Sequence, residues 1–141
     1  MNHKTICTNK KAYFDYEILD KYECGLVLLG KEIKAIRTGK VNINGSYGRI
    51  FGKNKQELYL VGANIGVGEG SDRIIKLLVN KSELKTLIGK TQIKGLSLAP
   101  LELYLKRGRA KILIAVAKGK KIYDKRKAIK KKDLDREARK A

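Results

Sequence analysis

The last 24 residues of this chain differ sharply in composition from the apolar segment that precedes them. Residues 112–117 are all apolar, whereas residues 118–141 contain twelve Lys or Arg and four Asp or Glu, a net charge of +8. The first 117 residues carry the remaining +11 of the total of +19. A segment so basic and so poor in large apolar side chains cannot bury enough surface to offset the entropy of ordering itself. We therefore predict one folded body and a basic tail that a polyanion orders.

The overall composition narrows the class of partner. A length of 141 residues suits one domain plus a tail, and the pI near 10.0 favours nucleic acid over a membrane surface or an acidic protein. No apolar run approaches ~18 residues and the amino terminus does not resemble a signal peptide, so we expect a cytoplasmic protein with no membrane partner. Cys7 and Cys24 lack CxxC spacing, which indicates reduced thiols, and Cys24 is expected to pack as a small apolar residue.

Much of the body shows the alternation typical of β-strands. Apolar residues recur with a period of two from Phe14 to Ile18 and from Cys24 to Leu28, which predicts one long or bent strand or a hairpin. The runs Tyr47–Phe51 and Glu57–Val61 flank a turn-forming loop and are predicted to be an antiparallel pair.

A second hairpin is predicted near the end of the body. Leu101, Leu103 and Leu105 alternate with polar residues, and Arg107-Gly108 then reverses the chain into the apolar run 112–117. Pro100, the one proline, predicts a sheet edge or a bulge at that position because it cannot donate a ladder hydrogen bond.

Two segments have helical patterns. Leu29, Ile33 and Ile36 recur at helical spacing before Gly39, a residue suited to ending a helix. Asn80 and Glu83 have the spacing of a capping box, which predicts a helix that ends at Gly89. Since strands outnumber helices and their connections look like hairpins, we predict an α+β fold that is mainly β, an antiparallel, partly open barrel with two or three flanking helices.

The sequence contains no recognisable catalytic or metal-binding pattern. His3 is the only histidine and is expected in a frayed terminus, and no CxxC pair or HExxH motif is present. Glu32 and Glu83 are interpreted as capping or solvated carboxylates, and the glycine-rich segment GVGEGSD as a flexible loop because it matches no phosphate-binding motif. We therefore predict a protein that is not an enzyme, without catalytic residues, metal or cofactor.

Cations interleaved with aromatic residues suggest where RNA binds. Lys and Arg neutralise phosphates, aromatic rings stack on unpaired bases, and RNA offers exposed bases in loops and irregular shapes. Such residues occur near both ends of the chain: Lys10, Lys11, Tyr13, Phe14 and Tyr16, then Lys118, Lys120, Lys121, Tyr123, Lys125 and Arg126. A solvated basic surface is the alternative interpretation.

The tail has the pattern of a conditional helix. Leu134, Ala138 and Ala141 share helical spacing, but Lys130–Lys132 repel one another and the apolar stripe is too thin to dock by itself. We expect residues 124–141 to be disordered in isolation and helical along RNA, after a body of residues 1–123.

Three separated blocks resemble the SsrA-binding protein (small protein B, SmpB) family. The first holds Asn9-Lys10-Lys11-Ala12, Asp15-Tyr16, Glu23 and Gly25. The second holds Gly30, Glu32, Lys34, Arg37, Gly39-Lys40, Asn42 and Ser46-Tyr47, and the third Val116-Ala117-Lys118-Gly119-Lys120-Lys121 with Asp124-Lys125-Arg126. The resemblance covers most of the chain, and the third block is its most specific motif.

The resemblance implies a barrel similar to an oligonucleotide-binding (OB) fold and an adaptor role in ribosome rescue by trans-translation. The body would bind the tRNA-like part of transfer-messenger RNA (tmRNA, SsrA), and the tail would enter the empty decoding centre and mRNA channel of the small ribosomal subunit. Elongation factor Tu and alanyl-tRNA synthetase would be partners only indirectly, through the RNA, and a monomer is expected. A structural ribosomal or ribosome-associated RNA-binding protein is the alternative function.

Site residues follow from the matched positions and the basic pattern. The predicted RNA-binding residues are Asn9, Lys10, Lys11, Phe14, Glu23, Lys111, Lys118, Lys120 and Lys121. The predicted ribosome-contacting tail residues are Asp124, Lys125, Arg126, Lys130, Lys131, Lys132 and Arg136. The chain departs from the family at Phe14, where a His is usual, and in a shortened loop at residues 66–76.

Overall fold

The computed structural model describes residues 3–119. Over this range the chain forms three helices and nine strands. The helices are α1 (Lys10–Asp15), α2 (Gly30–Arg37) and α3 (Lys81–Thr91). The strands are β1 (His3–Thr8), β2 (Tyr16–Leu26), β3 (Val41–Asn42), β4 (Tyr47–Phe51), β5 (Glu57–Val61), β6 (Asn64–Ile65), β7 (Ile75–Leu78), β8 (Leu96–Lys106) and β9 (Arg109–Gly119).

Six antiparallel strands join into a ring. The hydrogen-bonded order is β8-β4-β5-β7-β2-β9, and β9 pairs back with β8, while β1 pairs with the end of β8 beyond its contact with β4. The join between β4 and β8 consists of Gly48 opposite Leu98, where a Cβ on Gly48 would lie 2.9 Å from the Leu98 Cβ. The absence of that side chain lets the two strands approach. The predicted α+β class, with a mainly antiparallel sheet and flanking helices, is confirmed.

The inside of the ring is the main apolar core. Alternate residues of each strand point inward because side chains switch faces at every position. Ile36 of α2 and Leu87 of α3 are both fully buried in this core, so both helices pack against it. Cys24 is fully buried among the same residues, and burial raises the pKa of its thiol to about 12, so it is the inert packing residue that the sequence predicted. Cys7 and Cys24 are both free thiols.

Two bulges create a second apolar cluster on the outer face. The register shifts between Ile18 and Asp20 in β2 and between Pro100 and Glu102 in β8. The second shift puts Leu101 in the outer cluster although Leu103 lies in the main core. The prediction that Leu101, Leu103 and Leu105 share one face of the strand is therefore wrong for Leu101. The bulge predicted at Pro100 is confirmed.

The predicted hairpins and helices are confirmed with changes at their ends. β4 and β5 have the predicted bounds, and the β8–β9 turn has positive φ at Arg107 (54°) and Gly108 (78°). Gly39, with φ of 76°, follows α2 as predicted. α3 continues two residues beyond Gly89, and the Asn80 side chain makes no capping hydrogen bond, so that detail of the capping box was wrong.

The amino-terminal segment differs most from its prediction. The segment Lys10–Asp15, which includes Phe14, is a helix, and the strand begins only at Tyr16. His3 is not frayed: it starts β1 and pairs with Lys106 of β8. An exposed strand edge on β8 supplies these backbone partners, and no local pattern in residues 3–8 reveals it.

Glu32 is buried rather than solvated. It accepts a hydrogen bond from the Leu29 backbone N–H (2.7 Å), which confirms the capping interpretation. Arg73 donates to both carboxylate oxygens at 2.7 and 3.1 Å and also to the Val27 carbonyl. Burial raises the pKa of Glu32, but these hydrogen bonds outweigh it and hold the pKa below its ordinary value. The shortened loop that contains Arg73 is thereby anchored to α2.

Candidate nucleic-acid interface

Helix α1 presents the first group of predicted RNA-binding residues. We call the exposed residues Lys10, Lys11 and Phe14 the α1 surface; the Phe14 side chain is 37% exposed. Ala12, on the opposite side of the helix, packs in the outer apolar cluster with Ala99 and Leu101 of β8. The helix has only six residues, too few to be stable alone, so this packing is what holds its cations and ring in place.

Asn9 anchors α1 and is itself buried, with 3% of its surface exposed. Its Oδ1 accepts from the Ala12 N–H (3.2 Å), and its Nδ2 donates to the Pro100 carbonyl (2.9 Å). Its own N–H donates to the Leu101 carbonyl at 2.7 Å. This geometry makes Asn9 a link between α1 and β8 that positions the α1 surface.

Lys118 lies at the same end of the body as α1. It is exposed near the end of β9, opposite Glu17 of β2 and Leu96 of β8. A half-open groove of about 620 Å³ lies between α1, β4 and the start of β8, with Lys11, Tyr47 and Arg49 among its lining residues. Cations and an aromatic ring around an open groove suit a nucleotide.

Glu23 and Lys111 meet in a second place. We call His3, Glu23, Tyr104, Lys106 and Lys111 the Glu23 cluster. The Tyr104 hydroxyl donates to the Glu23 carboxylate, the Lys106 ammonium lies 3.4 Å from it, and the His3 ring stacks on Tyr104 with centroids 4.2 Å apart. Lys111 is directly opposite Tyr104 on the neighbouring strand.

The electrostatics of the Glu23 cluster keep its carboxylate ionised. The Tyr104 hydrogen bond lowers the pKa of Glu23, and the charges of Lys106 and Lys111 lower it further. Burial and the bond to Glu23 raise the pKa of Tyr104, so its hydroxyl remains a donor. A half-exposed carboxylate flanked by two ammonium groups can accept from a base amino group while the cations bind phosphates.

The two groups are well separated. Lys118 follows Lys111 by seven positions along β9, a distance of about 24 Å at the usual rise of an antiparallel strand. The structure thus brings Glu23 together with Lys111, and Asn9, Lys10, Lys11 and Phe14 together near Lys118. Lys120, Lys121 and all the predicted tail residues, Asp124, Lys125, Arg126, Lys130, Lys131, Lys132 and Arg136, lie outside the described residues.

Sequence reasoning did not single out Tyr104, Lys106 and Leu78, which the structure places beside Glu23 and Lys111. Leu78 is exposed and lies opposite Gly25, where an added Cβ would be 3.7 Å from the Lys111 ammonium. Tyr104 is 81 residues from Glu23 in sequence. These residues reach Glu23 and Lys111 only through strand pairing, so no local pattern in the sequence indicates them.

Among residues 3–119, no group of three His, Cys, Asp or Glu side chains is placed to hold a metal ion. In the same part of the chain, no helix is both long and apolar enough to cross a membrane.

Residues 6–141 match the family model described as SmpB protein. The chain belongs to the SmpB family. Among its relatives, the SsrA-binding protein of Syntrophobacter fumaroxidans is 46% identical, over 95% of this chain and 86% of the relative. The SsrA-binding proteins of Nitratiruptor sp. and Carboxydothermus hydrogenoformans are 49% and 48% identical, each over 98% of this chain and 96% and 95% of the relative.

The SmpB fold is matched in a solved structure as well. A chain in the structure described as "tmRNA-SmpB: a journey to the center of the bacterial ribosome" superposes with a TM-score of 0.67. It is 42% identical in sequence, and the match covers 82% of this chain and 85% of that chain. The resemblance to the family seen in the sequence is confirmed.

Proposed function

We propose that this chain is an RNA-binding adaptor of trans-translation that binds transfer-messenger RNA and delivers it to stalled ribosomes. The observation that carries the proposal is the match of residues 6–141 to the SmpB family, together with the likeness to a solved SmpB chain described with tmRNA and the ribosome. The body contributes two basic contact regions, the α1 surface and the Glu23 cluster. No catalytic step is needed for this role.

We assign different RNA contacts to the body and to the tail. The α1 surface and the Glu23 cluster grip the tRNA-like part of the RNA. Residues 124–141 enter the empty decoding centre and the mRNA channel of the small subunit, where surrounding phosphates remove the repulsion among their lysines. Elongation factor Tu and alanyl-tRNA synthetase join through the RNA, and the protein acts as a cytoplasmic monomer.

The first experiment is to purify the tagged full chain from its own cells and sequence the RNA that accompanies it. One dominant structured RNA with a tRNA-like end supports the proposal. Bulk RNA that is lost at moderate salt contradicts it. Steady residence on intact ribosomes without transfer-messenger RNA would instead favour the structural ribosomal protein.

Deleting residues 124–141 distinguishes the role of the tail from that of the body. RNA affinity of the body is expected to stay within a fewfold of the full chain, whereas rescue of stalled ribosomes is abolished. A large loss of RNA affinity in the deletion variant would show that the tail, and not the body, provides most of the RNA binding.

A further inference from the structure

The outer face of β4, β5 and β7 continues directly from the Glu23 cluster. Leu78 of β7 lies opposite Gly25 of β2, which lies opposite Lys111 of β9. Two residues earlier on β7, Lys76 lies opposite Tyr59 of β5. Because side chains two apart on a strand share a face, Lys76 and Leu78 face the same side of the sheet.

This face ends in a stack of planar groups on β4 and β5. The Phe51 and Tyr59 rings are stacked with centroids 4.3 Å apart, and the Arg49 guanidinium carbon lies 5.3 Å from the Phe51 ring centre. Phe51 remains 37% exposed and Tyr47, further along the same face of β4, 45% exposed. We call Arg49, Phe51 and Tyr59 the aromatic stack.

Ion pairing fixes the aromatic stack before any ligand arrives. The Tyr59 hydroxyl donates to Glu57 at 3.3 Å, and the Lys76 ammonium lies 3.0 Å from the same carboxylate oxygen. The hydrogen bond from Lys76 lowers the pKa of Glu57, so this link persists at neutral pH. A platform that is already ordered loses little side-chain entropy on binding.

The cations beside the stack are available to phosphates. Arg49 and Lys53 make no salt bridge within residues 3–119, and Lys53 is exposed. Lys53 and Lys55 both belong to the exposed turn that joins β4 to β5. Rings that can stack on bases beside cations that can pair with phosphates are the combination with which proteins bind single-stranded nucleic acid.

We propose that the outer face of β4, β5 and β7 binds an unpaired stretch of the RNA that the Glu23 cluster holds, with bases on the Phe51 and Tyr59 rings and phosphates on Arg49, Lys53 and Lys55. The inference rests on the proposed function, because it extends the grip of the Glu23 cluster along one continuous face. The distance across this face from β2 to β4 is three strand spacings, about 14 Å. A single strand of about four stacked nucleotides has that length. The cations and the continuity with an RNA contact favour RNA over a protein partner.

The test measures the affinity of full-length variants for transcribed transfer-messenger RNA over a range of salt concentrations. Phe51→Leu keeps the apolar packing but removes the aromatic face, and it is expected to weaken binding about 5- to 150-fold, the worth of one stacked base. Arg49→Gln is expected to lower the slope of log affinity against log salt by about 1. Val67→Ala, in the exposed loop beside α2, is the matched control and should bind as the parent chain does.

Two further measurements separate the possible failures. Replacing Phe51 by the photo-reactive benzoylphenylalanine should cross-link the protein to unpaired nucleotides. Cross-links to a ribosomal protein, or the absence of any cross-link, would overturn the inference. So would RNA affinity that is unchanged in both the Phe51→Leu and Arg49→Gln variants while the Glu23→Gln variant binds weakly. If the parent chain itself fails to bind this RNA, the proposed function is wrong. Melting temperatures equal to that of the parent chain show that the variants are folded.

Discussion

The α1 surface and the Glu23 cluster are the two proposed RNA-contact regions, and they are built in opposite ways. The cations and the ring of the α1 surface are neighbours in sequence and are held from below by Asn9 and Ala12, which are buried. The Glu23 cluster joins residues of β1, β2, β8 and β9, which are distant in sequence, through side-chain contacts around the buried Tyr104. Substituting the buried residues that support the first region should therefore appear in stability, and substituting Glu23 in the second should appear in binding.

The largest expected effect is that of Asn9→Ala on stability. The variant loses the cap of α1 and leaves the Pro100 carbonyl without its partner, so the free energy of unfolding should fall by about 2 to 4 kcal/mol. Urea unfolding measures this change. Asn44→Ala, at an exposed position, is the control and should change stability by less than about 0.5 kcal/mol. Weaker RNA binding with unchanged stability would show that Asn9 contacts RNA directly.

Glu23→Gln should give the opposite result. Binding to transfer-messenger RNA is expected to weaken by about 1 to 2 kcal/mol because a charged acceptor for a base amino group is lost. Stability should change by less than about 1 kcal/mol, since Glu23 is partly exposed. Glu69→Gln, in an exposed loop, serves as the control in the same titration. Unaltered affinity would remove Glu23 from the interface.

Tyr104→Phe tests whether the Glu23 cluster acts as a unit. The variant keeps the ring that stacks on His3 and removes only the hydroxyl that orients Glu23. We expect it to weaken RNA binding by about 0.5 to 1.5 kcal/mol in the parent chain and to have little effect when Glu23 is already Gln. Additive effects in this double-mutant cycle would mean that the two residues act independently.

The smallest effect is the pH dependence of stability that Glu23 contributes. Its folded-state pKa lies below the unfolded value of 4.5, so its stabilising contribution is present above that pH and is lost as the pH falls through the folded-state pKa. The difference in unfolding free energy between the parent chain and Glu23→Gln should therefore shrink on acidification from neutral pH. A difference that grows on acidification would reverse the assigned direction.

Prediction from sequence succeeded where the pattern is local. Strands β4 and β5, the turn at Arg107-Gly108 and the stop at Gly39 depend on alternation and on residues that allow special backbone angles. It failed where a partner distant in sequence decides the structure. Strand β1 exists because β8 offers an edge, and Leu101 leaves the main core because a bulge shifts the register.

The same division holds for the candidate site. The basic residues of the α1 surface and the matched positions Glu23 and Lys111 could be named in advance, because charge and motif are written in the chain. The buried position of Asn9 and the partnership of Glu23 with Tyr104 and Lys106 could not. They depend on which strands pair and in what register, and one residue of slippage moves a side chain to the other face.

By itself, the sequence determined the family, the mainly antiparallel α+β class and the presence of cations suited to RNA. Local propensity, charge and motif spacing are properties of the chain before it folds. Only the tertiary structure decided that the predicted RNA-binding residues within residues 3–119 form two regions, about 24 Å apart along β9, next to an aromatic face on β4 and β5. The reason is that ring closure and two bulges set which side chains share a face, and these depend on pairings between distant strands.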